Sequence, residues 1–243
     1  MSPLLSAVGL SLIGSLGGLL LAAALLLFPE GARIKLIPWL VSYAVGALLA
    51  VALMALLPEA LALKPPPEVF GTLLAAIFLF FVLEKLVLWR HCHTHECEVH
   101  GAPASLILIG DAVHNFIDGA MIGAAVLTSV PLGVSTAIAV AAHEVPQEVG
   151  DFAVLLHSGY SRSRALLLNV LSAVSGVAGA VLAVLLVDSL PFALPSLLCV
   201  AAASFLYIAM ADLIPDLHSG RIEGGAFRQL ALVALGIATI LLL

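Results

Sequence analysis

DAVHNFIDGA (111–120) and HEVPQEVGD (143–151) are two stretches in which acidic and histidine residues interrupt long apolar runs. In the first, Asp111, His114, Asn115 and Asp118 stand at offsets 0, 3, 4 and 7. In the second, His143, Glu144, Gln147, Glu148 and Asp151 stand at offsets 0, 1, 4, 5 and 8. A helix of about 3.6 residues per turn gathers each set on one face. No Lys or Arg occurs from His91 to Ser161, so these carboxylates have no basic neighbour in sequence. In hydrocarbon an unpaired carboxylate is costly, which makes such residues functional by default. A positive visitor is required, and a divalent metal ion fits best.

The rest of the chain supplies the hydrocarbon setting. Of 243 residues, 63% are hydrophobic and 10% charged, with mean hydropathy +1.21. Ordinary soluble domains are about 25% charged. Apolar stretches of roughly 20 residues recur, each long enough to cross a bilayer as a helix. Leu and Ala dominate and strand-type alternation is sparse, which argues against a β-barrel and for an all-α integral membrane protein. The formal charge of −6 argues against a nucleic-acid partner. Three cysteines, Cys92, Cys97 and Cys199, give no even disulfide framework, and Cys199 reads as a small buried hydrophobe.

Eight spans are expected, at 3–28, 36–61, 68–89, 102–128, 132–157, 165–187, 191–217 and 226–243, forming one transmembrane transport domain over 1–243. Turn-rich or charged pieces such as PEGARIK, LKPPPE and HSGYSRSR separate them. The first apolar run lacks a basic leader and a cleavage site, so it reads as a retained span. Arg33, Lys35, Arg90, Arg162, Arg164, Arg221 and Arg228 flank the loops after spans one, three, five and seven, which places those loops in the cytoplasm and both termini outside. The short N-terminus points to a bacterial inner (plasma) membrane. MALLPEAL (54–61) is echoed by MADLIPDL (210–217). An inverted repeat of three spans on each side of a central pair, 3+2+3, would produce such an echo.

His, Asp, Glu and amide oxygens suit borderline first-row dications. Facing helices offering them at i, i+3 and i+4 can assemble a site in a bundle core. His114, Asn115, Asp118, His143, Glu144 and Gln147 are therefore the expected metal ligands. Pro146 frees the carbonyl of Ala142, and Gly119, Gly123 and Gly150 are expected to permit close helix approach. Asp111, Glu148, Asp151 and His157 continue toward the cytoplasm as an exit route, a second metal position or a proton relay. Glu59, Asp212 and Asp216 lie near helix ends, where interfacial or capping roles are common. The loop at 90–101 carries His91, Cys92, His93, His95 and Cys97, either a metal-collecting segment or a polar linker.

HNFIDG (114–119) and HEVPQEVGD (143–151) resemble the fourth- and fifth-span signatures of the ZIP (Zrt/Irt-like) family of divalent-metal transporters. LLPEA (56–60), FLYIAMADLIPDL (205–217) and a histidine-containing third loop extend the similarity. The resemblance implies a binuclear centre between spans four and five, metal movement into the cytoplasm, and a homodimer with an elevator-like transport unit. It also implies that zinc, or else cadmium, iron or manganese, is the transported substrate and that no catalytic cofactor is present. Many members carry a second histidine where this chain has Gln147. A metal-selective cation channel is one alternative. An intramembrane zinc hydrolase using Glu144 as base is another, but it would need a histidine at position 147.

Overall fold

The computed structural model describes residues 2–89, 104–218 and 225–243. Among these residues there is no strand, and the helical pieces join end to end into eight rods. They are α1 (Pro3–Leu25), α2 (30–63), α3 (Pro66–Trp89), α4 (Ala104–Thr128), α5 (Val130–His157), α6 (Arg162–Ser189), α7 (Pro191–His218) and α8 (Ala226–Leu241). α1, α6, α7, the Lys35–Leu63 part of α2 and the Pro66–Lys85 part of α3 are long and apolar enough to cross a membrane. α4 and α5 have comparable length, but their polar stripes dilute their hydropathy. The protein is an all-helical integral membrane protein.

Helix edges differ from the sequence expectation where local capping chemistry intervenes. PEGARIK was expected to be a break, yet α2 begins at Glu30, inside that tract. Pro29 occupies the N-cap position, where its missing N–H costs nothing. α5 and α6 begin earlier than expected because Ser129 and Ser161 cap them, accepting from the N–H groups of Leu132 and Arg164. α5 continues as α-helix through Pro146. Gly150 corrects an expectation: among the described residues, no atom beyond its own stretch of helix lies within 4 Å of where its Cβ would be, so it makes no close helix approach there.

The rods sort into two groups. α1 packs on α4, α5 and α6, while α2 packs on α8 and α3 on α7. Glycine sets the tightest approaches. A Cβ on Gly119 would lie 1.7 Å from the carbonyl oxygen of Gly176, so α4 and α6 touch backbone to backbone. A Cβ on Gly46 would lie 2.0 Å from the Val233 carbonyl oxygen, which locks α2 to α8 in the same way. Between the groups, α2 meets α5 and α4 meets α7, with Val145 and Val149 packed against Ile37 and Leu40.

The echo between MALLPEAL and MADLIPDL has a structural counterpart. Val51–Leu56 and Ile208–Leu213 are both six-residue π-helical turns, each ending just before an apolar residue, a proline and an acid. Proline lacks the N–H of a regular turn and clashes with the carbonyl four residues back, which favours a widened turn before it. The Val51–Leu63 part of α2 packs on Leu194–Tyr207, whereas Glu30–Ala50 packs on Ile208–Leu213. The two helices therefore run antiparallel.

Candidate metal centre

α4 and α5 face each other along their polar stripes. Ligand atoms of His114, Asp118, His143 and Glu144 all lie within 4.8 Å of one another. His114 Nε2 stands 3.1 Å from His143 Nε2, 3.5 Å from Asp118 Oδ2 and 3.8 Å from Glu144 Oε1. His143 Nε2 stands 3.0 Å from Asp118 Oδ2. With metal bonds of about 2.0–2.2 Å, donors around a tetrahedral zinc stand roughly 3.3 Å apart. The observed spacings bracket that edge length. Asp118 and Glu144 side chains are fully buried and that of His143 nearly so, while His114 keeps 22% exposure.

Hydrogen bonding fixes how the group presents itself. The carbonyl oxygen of Ala139 lies 2.9 Å from His143 Nδ1. A carbonyl only accepts, so Nδ1 carries the proton in a neutral ring and Nε2 turns its lone pair inward. Among the described residues, neither oxygen of Asp118 nor either of Glu144 receives a hydrogen bond. Buried acceptors facing one another repel unless a cation or proton sits between them. A chelated dication satisfies them all together.

A second group follows one turn along. Ligand atoms of Asp111, Glu144 and Glu148 also lie within 4.8 Å of one another, so Glu144 belongs to both groups. Among the described residues, both Glu148 oxygens and Oδ2 of Asp111 have no hydrogen-bond partner. Asn115 Nδ2 donates to Asp111 Oδ1 at 3.0 Å, and Gln147 Nε2 donates to the same oxygen at 3.4 Å. These two amides thus orient Asp111 through their N–H groups, while the buried Oδ1 of Asn115 has no hydrogen-bond partner among the described residues. Asp151 is half-buried one turn beyond Glu148. His157 ends α5, and its side chain lies outside the described residues, as do His91, Cys92, His93, His95 and Cys97.

A cavity of about 570 Å³ opens beside the histidine pair. His114, His143 and Gln147 line its deep end, and Tyr207, Asp212 and Asp216 of α7 line another wall. Glu84 of α3 also lines it and accepts a hydrogen bond from the Tyr207 hydroxyl. Glu84 and Tyr207 were not singled out from sequence. Tyr207 sits three residues after Ser204, another cavity residue on the same face of α7.

Comparison with known proteins places this arrangement. The family model described as ZIP Zinc transporter matches residues 90–243. Zinc transporter ZIP4 of Mus musculus is 47% identical over 116 residues, which is 48% of this chain and 17% of that protein. Zinc transporter ZIP10 of Danio rerio is 40% identical over 120 residues, covering 49% of this chain and 14% of that protein. Metal cation symporter ZIP8 of Homo sapiens is 42% identical over 118 residues, covering 49% of this chain and 25% of that protein. The matches thus span a quarter or less of these relatives' own lengths. With the family model covering well over half of its residues, both signature helices included, the chain belongs to the ZIP zinc transporter family.

Proposed function

We propose that the protein carries divalent transition-metal ions, zinc foremost, across the membrane into the cytoplasm. The observation that carries this reading is the convergence of His114, Asp118, His143 and Glu144 from two facing helices, with buried carboxylates that no protein donor satisfies. An ion shed of water would bind there first. Asp111, Glu144 and Glu148 give it a second position, with Glu144 shared, and Asp151 continues the acidic path. The cavity wall bearing Asp212 and Asp216 then offers hydrated oxygen ligands on the way out. Relatives named as zinc transporters and as a metal cation symporter support the same cargo.

The division of the helices supports alternating access. α1, α4, α5 and α6 hold all the ligands of both groups and are locked together by glycine contacts such as Gly119 to Gly176. α2, α3, α7 and α8 form the other wall, which meets the first at α2–α5 and α4–α7. Sliding of the ligand-bearing group past the other would carry the ion from one face to the other. The antiparallel α2 and α7, with matching π-turns, fit an inverted repeat of the kind that supports this motion. The same reading takes the protein as a homodimer in the bilayer. A hydrolase is disfavoured because Gln147 stands where a second zinc-binding histidine would be needed and instead donates to Asp111.

Zinc uptake into proteoliposomes is the direct test. His114→Ala and Asp118→Ala are expected to lower uptake by at least tenfold while leaving the protein folded and inserted. Wild-type flux in both variants would overturn the assignment of this centre.

A further inference from the structure

A second cavity, of about 580 Å³, lies where the end of α1, the end of α5 and the start of α6 meet, and none of its lining residues is a candidate metal ligand. Ala24, Leu26, Leu27, Phe152, Leu156 and Leu166 give it an apolar lining, and Arg162 and Ser163 stand at its mouth. It opens on the lipid-facing side, beside Leu27 and Leu167, which are 84% and 56% exposed. Depth can be read from helix length. The 28 residues of α6 span roughly 42 Å at about 1.5 Å per residue, against a hydrocarbon core of about 30 Å. The first residues of α6 therefore stand among the headgroups, and Leu166 lies just below them.

The charge at this mouth is one-sided. Arg162 and Arg164 occupy the first turn of α6, which contains no acid, and they add to the positive end of the helix dipole. Arg164 stacks its guanidinium 4.9 Å from the centre of the Tyr160 ring, and among the described residues neither arginine has a carboxylate partner. Positive charge at a helix N-terminus is normally disfavoured, and a bound anion relieves it. A phosphate oxygen pairs well with a guanidinium in partly dry surroundings. A free anion would leave the apolar cleft below unfilled. A molecule with an anionic head and a hydrocarbon tail fills both parts.

We infer that this groove binds an anionic phospholipid, its headgroup on Arg162 and its acyl chain in the cleft between α1, α5 and α6. The inference needs only that the chain spans a membrane, and it is independent of the cargo and the direction of transport. Lipid retention on the purified full chain is measured by native mass spectrometry with phosphatidylglycerol or phosphatidylcholine, alongside thermal melts with either lipid or with inorganic phosphate. Phosphatidylglycerol is expected to be retained at least tenfold better than phosphatidylcholine. Arg162→Gln removes the charge, and Ala24→Trp fills the cleft with the charge intact; each should abolish that preference. Arg162→Lys and Lys35→Gln should keep it. A cooperative thermal melt and a monodisperse elution profile report that each variant is folded, and if Arg162→Gln fails to fold, Ala24→Trp decides alone. Equal retention of the two lipids, an undiminished preference in the folded cleft-filled variant, or equal stabilisation by inorganic phosphate would overturn the proposal.

Discussion

Asp111 accepts side-chain amides from both Asn115 and Gln147, and this changes how those two residues are to be tested. Both are expected ligands through their amide oxygens, and in the structure their N–H groups also hold a carboxylate of the second group. Partners of this kind typically contribute about 10–100-fold in metal affinity. Gln147→Leu is therefore expected to weaken zinc binding within that range, measured by calorimetry on the detergent-solubilised protein. His143→Ala should cost more, since it removes a donor atom and also leaves Asp118 facing an emptied position. Equal effects would argue against the division of roles. Gln147→His adds an imidazole to a wall that already carries His114 and His143. Selectivity for zinc over manganese should rise, as read by competitive uptake, because imidazole favours the borderline metal.

At the scale of the helix, glycine separates two kinds of position that look alike in sequence. Gly119 lies at the α4–α6 contact, and Gly119→Ala would drive a Cβ into the Gly176 carbonyl. Backbone gives way less readily than a side chain, so the expected cost is about 3 kcal/mol or more, seen as a fall in thermal stability. Gly150→Ala meets nothing within 4 Å, and the gain in helix propensity should make it neutral or stabilising by up to about 1 kcal/mol. The order of these two variants in a melting experiment checks the packing directly. Sequence spacing named both glycines as contact residues, since periodicity tells which face a residue occupies and says nothing of what stands opposite. The π-turns were likewise out of reach, although their prolines and the echo around them were visible.

For the molecule as a whole, the two groups of helices make a prediction about motion. Leu40 of α2 and Val149 of α5 belong to one apolar cluster across the boundary between the groups. In a background lacking Cys92, Cys97 and Cys199, a short bifunctional thiol reagent joining Leu40→Cys to Val149→Cys should stop zinc uptake. Zinc binding should persist, because every ligand lies on the ligand-bearing side. Full uptake after complete cross-linking would show that the groups do not move past each other there, and a route through a fixed structure would then be required.

The sequence by itself determined that this is a helical membrane protein and which two helices carry the polar stripe of candidate metal-binding side chains. Hydropathy and a period of about 3.6 residues are local properties of the chain, so they can be read without a fold. Tertiary structure alone decided that Glu144 is shared by two groups, that Asn115 and Gln147 turn to Asp111, and that Glu84 joins Tyr207 on the cavity wall. Each depends on the rotation and depth of one helix against another. Those are set by where glycine lets backbones meet, a relation between distant parts of the chain that no single stretch encodes.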